Sequence, residues 1–351
     1  MKNYKTIYLF LMLLGYFQAI AQVDTMSSYL VADNQDAELA YNKGIEDYKL
    51  KNLEKSLQDF TEAIRLKQEF YQAYYNRANI FTLLKRYKEA IEDYSTVLKI
   101  QPGYAKAYFS RGMAYFFMED YKNAKDNYTT AAKLDTKIAK YQYYCGVANF
   151  KMGDYKSAEI NFNEALKIKN DFAYAYNDRG STRRMLQNFD GAISDYTQAI
   201  KYDQGFSVAY NNLASVQRVI KDYKKAVSNY SSAIRLNPAY FVAYNNRGST
   251  YFEQGLLVEA ISDFEKAISL NPDYAQAYNN LGLIYLKQKK YTEALEQFNK
   301  AVQLDATLAQ AFGNRGSAKE MLRDFEGACE DWKKAVELGI DKAELFKQGC
   351  K

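Results

Sequence analysis

The sequence repeats itself every 34 residues, and this period constrains the fold more than any other feature. Aligned on shared small and aromatic residues, nine blocks follow one another from Ala37 to Lys342 without an insertion. The blocks, whose residues we number from position 1 to position 34, are 37–70, 71–104, 105–138, 139–172, 173–206, 207–240, 241–274, 275–308 and 309–342. Such a period indicates supersecondary units that each pack only against their neighbours.

Small and aromatic side chains recur at fixed positions of the blocks. Position 8 is always Gly or Ala, position 20 is Ser56 and then Ala in every later block, and position 24 is aromatic from Phe60 to Trp332. All three prolines lie at position 32, namely Pro102, Pro238 and Pro272. The pattern predicts two amphipathic helices per block with a turn near position 15. We expect the small residues to allow close helix packing and the aromatic residues to form the core.

This period and spacing resemble the tetratricopeptide repeat family, and the resemblance covers residues 37–342. It implies an all-α fold: an α-solenoid in which nine helix-turn-helix hairpins form a right-handed superhelix. We expect residues 343–351 to form a C-terminal capping helix or tail. Because one hairpin cannot bury its apolar face alone, stability is expected to come from stacking.

Composition excludes several kinds of chemistry. The 351 residues contain no His, which excludes Ser-His-Asp and Cys-His catalysis and His-ligated metal sites. Three Cys without a Cys-x-x-Cys motif disfavour a zinc or dithiol centre. The 47 basic and 42 acidic residues give no electrostatic case for nucleic acid. We therefore expect a non-enzyme without cofactor or metal. Glycosidase-type catalysis by carboxylates alone is disfavoured, since no facing pair is evident.

The N-terminus has the pattern of a secretion signal. Two lysines within Met1–Lys5 precede an uncharged run that ends Ala19-Ile20-Ala21. The pattern predicts a signal peptide over 1–21, cleaved after Ala21, and a flexible linker over 22–36. The alternative is an uncleaved anchor, although the apolar run is shorter than the roughly 20 residues that span a bilayer. The protein is expected in the periplasm or secreted, without a membrane span after cleavage, and it resembles exported repeat proteins of Bacteroidetes-type bacteria.

Positions 7 and 23 change together. Position 7 is Lys43 in block 1 and Arg in blocks 2, 3, 5, 7 and 9, and position 23 is acidic in all of these except block 3, where it is Asn127. Where position 7 is uncharged, at Cys145, Leu213 and Leu281, position 23 is uncharged too. This predicts direct contact between the two helices of a hairpin and a structural ion pair, rather than arginines that anchor a ligand.

The two C-terminal cysteines are predicted to form a disulfide. Cys329 lies ten residues before Gly339 and Cys350 ten residues after Ile340, so an antiparallel capping helix would bring them together. The alternative is two unpaired buried thiols, which is disfavoured outside the cytoplasm. Cys145, at position 7, is expected to be an inert core thiol.

In this family the first helix of each hairpin lines a concave groove. Position 6, which points into it, is Asn in six blocks and Ser110, Tyr144 and Asp178 in the others; the six are Asn42, Asn76, Asn212, Asn246, Asn280 and Asn314. An amide both donates and accepts, so one per block predicts a ladder that grips an extended backbone. The arrangement resembles the asparagine ladder of O-linked N-acetylglucosamine transferases, whose catalytic domain is absent here. The alternative is that Asn merely tolerates a wet surface.

Positions 5 and 12 divide the groove into an aromatic half and an amide-rich half. Position 5 is aromatic in the first four blocks (Tyr41, Tyr75, Phe109, Tyr143) and Asn in the next four (Asn177, Asn211, Asn245, Asn279). Position 12 adds a basic spot at Arg184 and Arg218. The leading interpretation is a non-catalytic scaffold that binds extended peptide segments of partner proteins. The alternative is a glycan or envelope-polymer module that stacks sugars on the aromatic half. A third possibility is that residues 23–36 cover these aromatics.

Overall fold

The structure is a computed structural model that describes residues 35–341 and Cys350. The expected signal peptide, most of the linker and the expected cap over 343–351 lie outside these residues, apart from Gln35, Asp36 and Cys350. Gln35 and Asp36 belong to the first helix rather than to the linker. Among the described residues, no helix has the length and apolarity that a membrane span requires.

The described residues form eighteen α-helices in consecutive pairs and no strand, which confirms the all-α class. The chain divides into two compact units, one up to Asn188 and one from Phe189. The first unit contains α1 (Gln35–Lys49), α2 (Leu53–Leu66), α3 (Tyr71–Leu83), α4 (Tyr87–Ile100), α5 (Ala105–Phe117), α6 (Tyr121–Leu134), α7 (Ala139–Met152), α8 (Tyr155–Ile168) and α9 (Ala173–Met185). The second contains α10 (Phe189–Tyr202), α11 (Ser207–Val219), α12 (Tyr223–Leu236), α13 (Phe241–Glu253), α14 (Leu257–Leu270), α15 (Ala275–Lys287), α16 (Tyr291–Leu304), α17 (Ala309–Met321) and α18 (Phe325–Glu337).

The turn predicted near position 15 is present in every repeat. Its residue has a positive φ in all nine cases: Lys51, Lys85, Glu119, Gly153, Gln187, Lys221, Gly255, Lys289 and Arg323. Before every second helix other than α10, the next residue is the N-cap, and an Asp there accepts a hydrogen bond from a backbone N–H of the first turn, as Asp154 does from Ser157. Two local signals therefore end one helix and begin the next.

Contact between positions 8 and 24 holds each hairpin closed. A Cβ built on Gly282 would lie 2.7 Å from Cε1 of Phe298, and one built on Gly44 would lie 2.9 Å from the same atom of Phe60. Both aromatic rings are fully buried. The close approach predicted from small residues at position 8 is confirmed.

Arginines at position 7 form the predicted ion pairs. Arg247 donates from Nε and Nη2 to both carboxylate oxygens of Asp263, each at 2.8 Å. These hydrogen bonds are the largest cause of the raised pKa of Arg247. The same bidentate pairing joins Arg77 to Asp93 and Arg315 to Asp331, whereas Lys43 makes a single bond to Asp59. Positions 7 and 23 are therefore in direct contact, as their joint variation predicts.

Each such arginine also reaches the preceding repeat, a contact that alignment of the blocks does not predict. Arg247 Nη1 donates to Ser231 Oγ at 2.8 Å, and Arg77 Nη1 donates to Thr61 Oγ1 at 3.0 Å. The guanidinium of Arg247 lies 5.7 Å from the ring centroid of Tyr244 and 5.9 Å from that of Tyr251. One side chain thus connects three helices.

The three cysteines are placed as the sequence suggests. Cys329 and Cys350 are joined in a disulfide with their Cα atoms 5.7 Å apart. Cys145 is 1% exposed, and burial raises the pKa of its thiol to about 11. A thiol of this kind is protonated at neutral pH and therefore unreactive.

Candidate functional site

The first helices of the repeats form a layer within each unit, which we name the first-helix layer. It consists of α1, α3, α5, α7 and α9 in the first unit and of α11, α13, α15 and α17 in the second. Neighbouring first helices contact each other in the pairs α3–α5, α7–α9, α11–α13, α13–α15 and α15–α17. Positions 5 and 6, where the sequence places the ligand site, lie on these helices.

The four aromatic residues at position 5 do not line an open groove. Tyr41, Tyr75, Phe109 and Tyr143 are 0%, 4%, 8% and 6% exposed. Each ring packs against the aromatic residue at position 24 of its own repeat and against a second ring, which is at position 34 in repeats 1, 2 and 4 and belongs to the next repeat for Phe109. Tyr41, for example, lies 5.5 Å from Phe60 and 4.9 Å from Phe70 between ring centroids. The prediction that these four residues offer an aromatic binding surface is therefore wrong, because they fill the space between repeats.

Position 5 of one repeat contacts position 6 of the next, and we call these two residues a ladder pair. In the first unit the pairs differ in chemistry but match one by one. Asn76 Nδ2 donates to Tyr41 Oη at 2.9 Å, and Tyr143 Oη donates to Asp178 Oδ2 at 2.7 Å. Tyr75 Oη and Ser110 Oγ are 3.2 Å apart, and Phe109, which has no hydroxyl, packs against the ring of Tyr144 at 5.3 Å.

In the second unit the ladder pairs are asparagine amides. Asn246 Nδ2 donates to Asn211 Oδ1 at 3.0 Å, Asn280 to Asn245 at 2.9 Å, and Asn314 to Asn279 at 2.8 Å. Within a helix, Asn279 Nδ2 donates to Asn280 Oδ1 at 3.3 Å, which links one pair to the next. The second unit therefore contains a series of asparagine amides that hydrogen-bond to one another across repeats, and their binding of an extended backbone stays a prediction.

The exposure of the ladder amides is uneven. Asn211, Asn212, Asn245 and Asn279 are at most 3% exposed and Asn246 is 6% exposed. Asn280 and Asn314 are partly exposed, as is Asn42 at the start of the array. Of the position-6 amides in the second unit, Asn280 and Asn314 are therefore accessible to solvent, whereas Asn212 and Asn246 are buried.

The three departures from Asn at position 6 have a structural reason. Ser110, Tyr144 and Asp178 interrupt the series of asparagines at position 6, yet each contacts the residue at position 5 of the repeat before it. This matching is not visible when each position is compared on its own across the repeats. The signal that could reveal it is joint variation at a spacing of 35 residues.

Asp178 is the one acid at position 6. Burial raises the pKa of its carboxyl group to about 6, although hydrogen bonds from Tyr143 and Asn177 oppose the shift. The Asn177 Nδ2 to Asp178 Oδ1 distance is 3.0 Å. The ionised carboxylate is disfavoured here, because a poorly solvated environment stabilises its charge less well than water does.

The two arginines at position 12 are partly buried. Arg218 Nε lies 4.0 Å from Glu253 Oε1 of the next repeat, and both side chains keep moderate exposure. Arg184, with Nε buried, lies on the last turn of α9. One of the two arginines of the predicted basic spot, Arg218, therefore already lies within ion-pair distance of a glutamate of the next repeat.

The fold is an all-α solenoid. Its helices are paired in an unbroken 34-residue register, small and aromatic residues pack within each pair, and ladder pairs connect neighbouring repeats. Four models described as tetratricopeptide or TPR repeat match residues 71–104, 105–138 with 141–172, 220–255 and 240–306. Together these matches span more than half of the chain. The protein belongs to the tetratricopeptide repeat family. Its repeats are those of a protein-interaction scaffold, and proteins built from them bind protein or peptide partners.

The chain is similar to several solved structures. Pseudomonas aeruginosa pilF is 17% identical over 58% of this chain and 93% of its own, with a TM-score of 0.52. YrrB, described as a TPR protein with an unusual peptide-binding site, is 24% identical over 52% of this chain and 95% of its own, with a TM-score of 0.46. Yeast Tom70 is 14% identical over 90% of this chain and 94% of its own, with a TM-score of 0.48. No curated protein sequence matches the chain.

Proposed function

We propose that this protein is a non-catalytic scaffold outside the cytoplasm that binds extended segments of partner proteins along its first-helix layer. The observation that carries the proposal is the orientation of the partly exposed amides Asn280 and Asn314. Each is held by a hydrogen bond to a buried asparagine of the preceding repeat, at 2.9 and 2.8 Å.

A held amide is a good receptor for a peptide backbone. An Asn side chain has two N–H donors and an oxygen with two acceptor sites, and the ladder bond of Asn314 uses one N–H. Because the neighbouring repeat already fixes the rotamer, binding loses little side-chain entropy. The buried amides of the second unit therefore support the exposed ones.

The same geometry favours protein segments over glycans. Stacking on a sugar requires an exposed ring face, and the four aromatic residues at position 5 are at most 8% exposed. The location outside the cytoplasm is supported by the N-terminal sequence and by the disulfide between Cys329 and Cys350, since disulfides persist in oxidising compartments.

The test is binding of residues 22–351 to an array of random 12-residue peptides, with a glycan array in parallel. We expect peptide binders and a loss of about tenfold for Asn280→Ala, the effect of one hydrogen bond. Gly282→Ala is the matched control, because it destabilises the same helix without removing an amide. Glycan binding without peptide binding, or equal affinity of Asn280→Ala and wild type for every peptide, would contradict the proposal.

A further inference from the structure

The first two repeats contain buried amide atoms that have no hydrogen-bond partner. These atoms are Oδ1 of Asn42, Oδ1 of Asn76 and Nδ2 of Asn79. Asn76 is fully buried and Asn79 is 6% exposed. A buried polar group without a partner costs about 1–3 kcal/mol, so such atoms call for a partner that the described residues do not provide.

The three residues belong to one part of the first-helix layer. Asn42 occupies position 6 of α1, and Asn76 occupies position 6 of α3, where its Nδ2 is held by Tyr41 of α1. Asn79 follows Asn76 by three residues on the same face of α3, and its Oδ1 accepts a 2.7 Å hydrogen bond from Tyr94. The bonds to Tyr41 and Tyr94 fix both amides while their other ends stay unused.

The contrast with the second unit explains why the two position-6 oxygens lack partners. There the position-6 oxygen accepts from the position-5 amide of its own repeat: Asn279 Nδ2 donates to Asn280 Oδ1 at 3.3 Å and Asn211 Nδ2 to Asn212 Oδ1 at 3.4 Å. In repeats 1 and 2, position 5 is a tyrosine whose hydroxyl contacts the next repeat instead. The first repeats therefore contain the amides of a ladder without the groups that satisfy them elsewhere.

A carboxylate adds charge to this cluster. Glu38 lies one helical turn before Asn42 on α1 and is 7% exposed. Within the described part of the chain, the nearest basic residue of α1, Lys43, is bonded to Asp59 rather than to Glu38. Among the buried amide atoms of these repeats that lack a partner, two accept and one donates hydrogen bonds, and Glu38 adds a carboxylate on α1.

We propose that Glu38, Asn42 and Asn76 receive a cationic nitrogen group of a partner segment: a lysine ammonium, an arginine guanidinium or an amino terminus. This inference rests on the proposed function and adds the chemistry of one ligand position. A cation supplies several N–H donors at once, and charge-assisted bonds to a carboxylate are roughly twice as strong as neutral ones. Asn79 Nδ2 then donates to a backbone carbonyl next to the cationic residue.

The experiment compares the random-peptide array for wild type, Glu38→Gln, Asn76→Leu and the control Asn170→Ala, an exposed loop residue. Wild-type binders are expected to be enriched in Lys, in Arg or in a free amino terminus, and blocking each group separately identifies which source is used. Glu38→Gln should abolish the enrichment while peptides that depend on Asn280 keep their affinity. Asn76→Leu also removes the hydrogen bond to Tyr41, so circular dichroism is used to check that this variant is folded. If Asn76→Leu is unfolded, the result for Glu38→Gln decides the test.

The outcomes separate the two proposals. Binders without a cation preference, or a preference that survives in Glu38→Gln, would overturn this inference and leave the proposed function standing; water would then be the partner of the buried amides. An array without any binder would overturn both.

Discussion

Asn246 Nδ2 donates a 3.0 Å hydrogen bond to Asn211 Oδ1, although 35 residues separate the two in the sequence, and both side chains are buried. Two residues that a family comparison assigns to ligand binding thus serve first to connect neighbouring repeats. In a solenoid, stability depends on interfaces between neighbours. Replacement of these amides should therefore affect folding as well as binding.

Asn211→Ala should lower the free energy of unfolding by about 1–3 kcal/mol, because it removes the acceptor of the buried 3.0 Å hydrogen bond from Asn246 Nδ2. Urea denaturation of the full chain measures the change. Asn170→Ala, in an exposed loop, is the control and should change stability by less than about 0.5 kcal/mol. Equal stability of Asn211→Ala and wild type would show that the ladder contributes nothing to the interface.

Arg247→Leu should cost about 3 kcal/mol, because it leaves the buried carboxylate of Asp263 without its partner. The double variant Arg247→Leu with Asp263→Asn reproduces Leu213 and Asn229 of repeat 6 and should be more stable than the single variant. Thermal or urea unfolding ranks the two. Arg65→Leu, which breaks an exposed pair with Glu62, should change stability by less than about 1 kcal/mol. A double variant less stable than Arg247→Leu would refute the pairing.

Gly282→Ala should destabilise the protein by about 1 kcal/mol and Gly282→Val by about 3 kcal/mol, because each added atom meets the buried ring of Phe298. The smaller figure for Ala reflects repeat 2, where Ala78 occupies position 8. At Gly103 a Cβ meets nothing within 4 Å, so Gly103→Ala is the matched control. A cost for Gly103→Ala as large as that for Gly282→Ala would contradict the steric explanation.

Asp178→Asn should stabilise the protein at pH 7 by on the order of 2 kcal/mol and leave it nearly unchanged at pH 4. The pKa of Asp178 is raised from 3.8 to about 6 in the folded protein, so the folded state binds more protons than the unfolded state between these values. Stability of the wild type therefore falls as pH rises through this window, and Asn removes the fall. Urea titrations at both pH values measure it, with the exposed Asp171→Asn as control. The same difference at pH 4 and pH 7 would count against the assignment.

Cys350→Ser should lower the stability of repeat 9 by about 3 kcal/mol, because a disulfide that closes a loop of this length restricts the unfolded chain. The cysteines are 21 residues apart. Hydrogen exchange of α17 and α18 reports the local change. A reducing agent should weaken the wild type but leave Cys350→Ser unchanged, and equal sensitivity of both proteins would argue against the bond.

Contacts between the two helices of one hairpin could be predicted from the sequence. Gly at position 8 opposite an aromatic residue, and Arg247 with Asp263, occur within a single 34-residue block, so alignment of the blocks places them side by side. Their physical reason is local: a turn near position 15 brings residues of the two helices together.

Contacts between repeats could not be predicted in the same way. Tyr41 and Asn76 belong to different blocks, and an alignment that stacks the blocks places them in separate columns. Burial of a position-5 side chain also depends on rings that a family rule does not consider: Tyr41, which that rule directs into the groove, packs on Phe60 and Phe70 of its own repeat.

The ladder pairs also determine which repeats can be deleted or duplicated. Loss of residues 241–274 would bring Asn211 opposite Asn280, a combination of amides that the second unit already uses between its other repeats. Loss of residues 105–138 would instead bring Tyr75 opposite Tyr144 and crowd two large rings into a space now filled by a tyrosine and a serine. Duplication and deletion are thus tolerated among the later repeats, while the order of the early ones is fixed.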